Sequence, residues 1–215
     1  MLEARNLQCI RGRHPLFGGL GLVLAPGQLL RVKGANGAGK TSLLRILCGL
    51  ALPSEGEVLW RGQPIRKSRE EFHSSLAWIS HLPGLKDEFS AHENLAMNTA
   101  LAGDRPSPAA IDAALARLGL AGRSRLPVRY LSQGQRRRAA LARLFLSSAR
   151  PLWILDEPFN ALDARAVAEV EALLAAHAAA GGMVAYATHI EPLNTSGQRI
   201  DIDLDPPPPS QQDAR

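Results

Sequence analysis

The run Gly34-Ala35-Asn36-Gly37-Ala38-Gly39-Lys40-Thr41 follows the spacing G-x-x-x-x-G-K-[ST], directly after the strand-like Gln28-Leu29-Leu30-Arg31-Val32. That pattern suits a polyphosphate. Backbone N–H groups wrap an anion closely only where no Cβ blocks the approach and φ can turn positive, which Gly34, Gly37 and Gly39 permit. The apolar stretch 41–47 reads as a helix whose free amides and positive dipole end face the same anion. Lys40 is placed to reach the β- and γ-phosphates, the Thr41 hydroxyl to bind Mg²⁺, and Ser42 to complete the set. Only Lys33, Lys40, Lys67 and Lys86 are lysine in an arginine-rich chain, so Lys40 is informative in itself.

Two other apolar runs end in residues that act on phosphate. Leu152-Trp153-Ile154-Leu155 leads into Asp156-Glu157, and Met183-Val184-Ala185-Tyr186-Ala187-Thr188 leads into His189. Acids at the end of a buried strand are costly unless a cation or a reacting group uses them. Asp156 is suited to hold Mg²⁺ directly or through water, and Glu157 to orient or deprotonate the attacking water. His189 can donate to the γ-phosphate. A lone strand-end histidine is more often structural, but open α/β sheets gather their ligands at the carboxyl ends of strands, where all three groups fall.

The elements that must position these groups alternate between β-like and helical runs, predicting an α/β domain with a mostly parallel sheet. Strands are expected at 2–6, 20–24, 29–33, 57–60, 76–80, 152–156, 183–188 and 199–204, the last as an edge strand with one wet face through Ile200, Ile202 and Leu204. Between about 90 and 149 helical periodicity replaces the strand signal, predicting a helical subdomain inserted into the α/β core. There Pro108 suits a first helical position, and 131–146 reads as one long amphipathic run. The proline-rich polar tail 205–215 is expected to be disordered.

Composition narrows the class. With 215 residues and 46% hydrophobic content the chain fits one domain with a substantial core. No apolar run is long enough to span a membrane, and residues 1–6 lack the layout of a signal peptide, so the expected compartment is the cytosol. Cys9 and Cys48 sit among apolar residues and are expected as buried free thiols. The scattered histidines and the lack of C-x-x-C give no support to a zinc site or to covalent haem attachment. The net charge of +5 invites nucleic acid, yet its densest cluster, Arg136-Arg137-Arg138, lies in a helical run where successive residues diverge. No nucleic-acid partner is expected.

Leu131-Ser132-Gln133-Gly134-Gln135 opens that helical run and resembles the signature motif of ABC-type ATPases, usually LSGGQ. Asp156-Glu157-Pro158, Asn160-Ala161-Leu162-Asp163 as a D-loop and His189 as a switch histidine extend the resemblance over about residues 1–204. It implies a P-loop ATPase of the ABC type, a mostly parallel sheet with an antiparallel β part, ATP and Mg²⁺ as ligands, and a head-to-tail homodimer on ATP binding. Ser132, Gly134 and Gln135 of one copy would then close on ATP held by the other, a helix N-terminus again meeting phosphate. Three positions depart from the family. Gln133 stands where the motif has glycine. His81 occupies the place of a glutamine that links Mg²⁺ and water to the membrane partner. Arg11 occupies that of the aromatic that stacks on adenine, which a guanidinium plane can also do.

Further runs are similar to one subgroup, the ATP-binding subunits of bacterial cytochrome c maturation, often called haem exporters. These are Gly56-Glu57-Val58-Leu59-Trp60-Arg61-Gly62-Gln63-Pro64, Trp78-Ile79-Ser80-His81, Pro83-Gly84-Leu85-Lys86, Glu93-Asn94-Leu95 and Trp153-Ile154-Leu155-Asp156-Glu157-Pro158-Phe159. The subgroup implies a peripheral subunit on the cytoplasmic face of the inner membrane, docked on an integral permease subunit of the maturation complex. There it would couple ATP hydrolysis to haem export or to haem release from a chaperone. Rival readings are the ATPase of another exporter, a soluble ABC protein of translation or DNA repair, and a module that binds nucleotide without hydrolysing it. The intact Lys40, Thr41, Asp156, Glu157 and His189 argue against the last.

Overall fold

Leucines at matched positions pair the first two strands as an antiparallel hairpin. The computed structural model describes residues 1–189 and 198–205. In it β1 spans Leu2–Arg11 and β2 spans His14–Leu24, with Leu2 opposite Leu24 and Ala4 opposite Leu22. Both strands outrun the expected 2–6 and 20–24. Asn6 at φ +48° and register shifts beyond Ala4 break the alternation, and the glycines at 18, 19 and 21 have no side chains to mark it.

β3 (Gln28–Lys33) leads through the glycine-rich loop into α1 (Lys40–Leu47), after which β4 (Glu55–Trp60) and β5 (Gln63–Pro64) complete a sheet in the order β2-β1-β4-β5. Gly56, at φ +84°, passes so close to β1 that a Cβ would collide with the carbonyl oxygens of Arg5 and Asn6. Then follow α2 (Arg69–Ser74), β6 (Leu76–Ile79), α3 (Ala91–Leu101), α4 (Pro108–Arg117), α5 (Gln133–Ala142), β7 (Leu152–Asp156), α6 (Ala164–Ala179), β8 (Met183–Ala187) and β9 (Gln198–Asp203).

The second sheet runs β6-β7-β8-β3-β9, with every pair parallel. Both faces are covered, which is why β7 and β8 read as unbroken apolar runs. Leu152 and Ile154 join the cluster that holds Leu43 and Leu47, whereas Trp153 and Leu155 join the one that holds Leu141 and Val170. Each such side chain contributes about 1.5–3 kcal/mol by leaving water. β9 is the edge strand, and its exposure alternates through Ile200 and Ile202 as expected. Across it Asp201 pairs with Arg31 at 2.7 Å and Lys33 at 2.9 Å.

The helices between β6 and β7 begin where their caps dictate. Ser90 and Glu93 form a capping box on α3, and Ser107 caps α4 with Pro108 at its first position. α5 starts at the Ser132 cap but gives way at Arg143 to a 3₁₀ turn, Arg143–Leu146, so the expected run 131–146 is not one regular helix. The Ser147 hydroxyl bonds the Arg143 carbonyl, satisfying one of the groups the tighter turn leaves free. Among the described residues no helix is long and apolar enough to cross a membrane. Cys9 and Cys48 are buried free thiols, and the proline-rich tail, apart from Asp205, lies outside the described residues.

Candidate functional site

β7, β8 and β3 are neighbours, so parallel pairing brings their carboxyl ends to one edge of the sheet. The loop leaving β3 turns through Gly34, Gly37 and Gly39 at φ +137°, +90° and +104°. A Cβ on Gly39 would press at 3.1 Å on Leu16 of β2, so this glycine is required by contact as well as by conformation. The Lys40 ammonium folds back over the loop and donates to the carbonyls of Gly34, at 2.6 Å, and Ala35, at 3.0 Å.

The Thr41 hydroxyl lies 2.9 and 3.2 Å from the two carboxylate oxygens of Asp156, at the end of β7. A hydroxyl and a carboxylate converging on one point are the oxygen donors a magnesium ion prefers. One residue on, Glu157 adopts φ +51°, and its Oε2 meets Nδ1 of His189 at 2.9 Å. The two adjacent acids thus have different partners, Thr41 for Asp156 and the strand-end histidine for Glu157.

These groups open into a cleft of about 510 Å³, lined by Arg11, Asn36, Lys40, His81, Glu157 and His189 with the loop residues Gly37, Gly39, Thr41 and Ser42. Leu16 and Asn160 also line it, and sequence reasoning assigned neither to the nucleotide. Gly34, Ala35 and Ala38 belong to the loop without lining the cleft. Two of their amides are used internally: Ala35 N–H donates to Asp205 at 2.7 Å and Ala38 N–H to the Ala35 carbonyl at 3.2 Å. A larger cavity of about 660 Å³ lies elsewhere, around Arg5, Ile46, Ile65 and Phe72, away from these phosphate-directed groups.

Ser132, Gly134 and Gln135 stand apart. None of them lines the cleft. Ser132 Oγ accepts from the Gln135 N–H and the Gln135 side chain accepts from the Ser132 N–H, a capping box at the start of α5 in which Ser132 is exposed and Gly134 and Gln135 are half-buried. Gly134 abuts Ala161, where a Cβ would come within 2.6 Å of the carbonyl oxygen.

The sequence missed Arg137. Of the three consecutive arginines, Arg136 reaches Asp87 and Arg138 reaches Asp163, while Arg137 turns inward and is 4% exposed. Its guanidinium donates to the carbonyls of Ser80, His81, Asp156 and Glu157. Burial pulls its pKa down to about 10, against the opposing fields of Asp156 and Glu157. The available signal was spacing: Arg137, Leu141 and Leu144 recur at helical intervals on the buried side.

Residues 17–160 match the family described as ABC transporter. The chain is 54% identical over 189 residues to the cytochrome c biogenesis ATP-binding export protein CcmA of Aromatoleum aromaticum, covering 88% of each chain. It is also 54% identical to the protein of that name from Methylococcus capsulatus, over 87% of this chain and 90% of that one. Among solved structures, an ATP-binding subunit of an ABC transporter superposes with TM-score 0.78 at 25% identity, over 88% of this chain and 80% of the other. A Clostridium perfringens protein that is part of an ABC transporter complex superposes with TM-score 0.69 at 27% identity, over 88% and 78%.

Proposed function

The chain belongs to the ABC transporter family of ATP-binding proteins, and from that premise we propose that it is the ATP-hydrolysing subunit of a membrane complex for cytochrome c biogenesis, driving haem export or haem release from a chaperone. The observation that carries this reading is the 54% identity, across 88% of the chain, to proteins named for cytochrome c biogenesis and export. Haem enters through the resemblance to the maturation subgroup, and the ATPase chemistry rests on the cleft itself.

In that cleft Lys40 and the loop amides hold the β- and γ-phosphates of ATP. Glu157 takes a proton from water as the water oxygen attacks the γ-phosphorus and the bond to the bridging oxygen of ADP breaks. His189, bound to Glu157, orients that carboxylate and donates to the γ-phosphate. Mg²⁺ would be held by Thr41 and Asp156, with His81 at the rim, and would supply charge neutralisation at the phosphates. Arg11 stacks on the adenine.

The exposure of Ser132, outside the cleft of its own chain, supports an ATP-bound homodimer in which Ser132, Gly134 and Gln135 reach the nucleotide of the other copy. A groove of about 550 Å³ between Leu82, Leu85, Val128 and Arg136 supports docking of an integral permease subunit, because Leu82 there is 75% exposed. On this reading the protein, residues 1–204 acting as one ATPase domain, works at the cytoplasmic face of the inner membrane. The test is mass spectrometry of membrane proteins co-purified with tagged Glu157→Gln in Mg·ATP. Cytochrome c maturation subunits are expected; an unrelated permease would remove haem and keep the ATPase.

A further inference from the structure

The parallel ladder between β6 and β7 ends with Ile79 opposite Leu155. Beyond it Ser80 and His81 follow β6, while Asp156 ends β7 and Glu157 follows it, and the proposed chemistry needs these residues aligned. Arg137 takes over where the ladder stops. One of its terminal nitrogens donates to Ser80 O at 2.7 Å and His81 O at 3.4 Å, the other to Asp156 O at 2.7 Å and Glu157 O at 2.8 Å. A planar fork of fixed geometry can bridge two strand ends, which a single ammonium cannot do.

Glu157 makes the bridge consequential. Its φ of +51° is a left-handed conformation that a residue with a side chain keeps only when its surroundings over-determine it. On one side its N–H donates to Ala187 O at 3.0 Å, and on the other its carbonyl accepts from Arg137. Arg137 Nε, meanwhile, is buried with no partner among the described residues.

We propose that Arg137 is a positioning residue for ATP hydrolysis: it holds the backbones of Glu157 and His81 in register and makes that register depend on the seat of α5, the helix that Ser132 caps. Docking at the Leu82–Leu85 groove and closure on a second nucleotide both bear on segments that this guanidinium joins. The inference rests on the reading of the cleft as an ATPase site.

The experiment compares Arg137→Gln and Arg137→Lys with the wild-type chain in steady-state phosphate release, and in titration with a fluorescent ATP analogue. Thermal unfolding confirms that each variant is folded. The expected result is a kcat at least tenfold lower in both, with nucleotide affinity within about threefold of wild type, because alignment is lost while the phosphate loop is intact. Arg137→Lys keeps the charge and recovers only a fraction of the rate. Wild-type kcat in either folded variant overturns the proposal, as does a loss of affinity that matches the loss of turnover. Should Arg137→Gln fail to fold, the lysine variant decides alone. A wild-type chain that hydrolyses no ATP overturns the ATPase reading, and this inference with it.

Discussion

Nδ1 of His189 lies 2.9 Å from Oε2 of Glu157, joining the residues that follow two neighbouring parallel strands. Groups that act as a unit do not lose function additively. Glu157→Gln is expected to lower kcat by at least ~100-fold while ATP still binds. His189→Ala should cost a large part of the same factor, and the double variant little more than Glu157→Gln alone. Phosphate-release assays across the cycle check this, and multiplicative losses would show the two working independently.

The Ser132 cap stands outside the cleft of its own chain, and in the proposed homodimer it closes on the nucleotide of the other copy. Glu157→Gln saturated with Mg·ATP is expected to double in mass from 23.1 kDa by light scattering. Monomers under those conditions would count against the head-to-tail arrangement.

Gly134 leaves no room for a methyl group, whose carbon would come within 2.6 Å of the Ala161 carbonyl oxygen, while Ala161 itself sits at φ +61°. Gly134→Ala should displace the segment between Glu157 and α6, at a cost of about 1–3 kcal/mol, and slow hydrolysis by roughly tenfold. Gly122→Ala, with no atom within 4 Å of the new methyl group, is the control and should change neither the melting temperature nor the rate.

Arg11 lines the nucleotide cleft at the end of β1. If its guanidinium stacks on adenine as proposed, the contact contributes about 0.5–2 kcal/mol, so Arg11→Ala should weaken ATP binding by roughly 2- to 30-fold. Calorimetric affinities equal to wild type would remove Arg11 from the site.

Hydrogen bonds from Arg31 and then Lys33 hold the Asp201 carboxyl well below the usual carboxylate range. A depressed native pKa stabilises the fold above the unfolded value, near 3.9, and the contribution fades as pH falls toward the native value. Asp201→Asn should therefore melt below wild type at pH 7, and the gap should narrow below about pH 4. A gap that widens in acid would reverse the assignment.

Phosphate loop, strand-end acids and buried parallel strands are legible in the sequence because their physics is local. Glycine spacing, continuous apolar runs and the turn to charge after Leu155 each declare themselves within a few residues. The first hairpin was only half legible, since Asn6 and the glycines of β2 interrupt the alternation that marks a strand. The burial of Arg137 was legible from its helical spacing with Leu141 and Leu144, but its partners were not. Its partners are backbone carbonyls on segments 19 to 57 positions away, and a carbonyl carries no residue identity to read. Gly134 was legible as part of a motif, but its need for Ala161 appears only in three dimensions.

β3, the strand that presents the phosphate loop, pairs among the described residues with β8 and β9 alone. During synthesis it therefore leaves the ribosome with its hydrogen-bonding edges unmatched, and waits for residues beyond 183. At roughly 5–20 residues per second that interval is on the order of ten seconds or more. A nascent chain in that state offers an apolar strand to its neighbours and has no frame on which to hold ATP. Translation arrest before β8 should therefore yield a chain that aggregates whatever the ATP concentration.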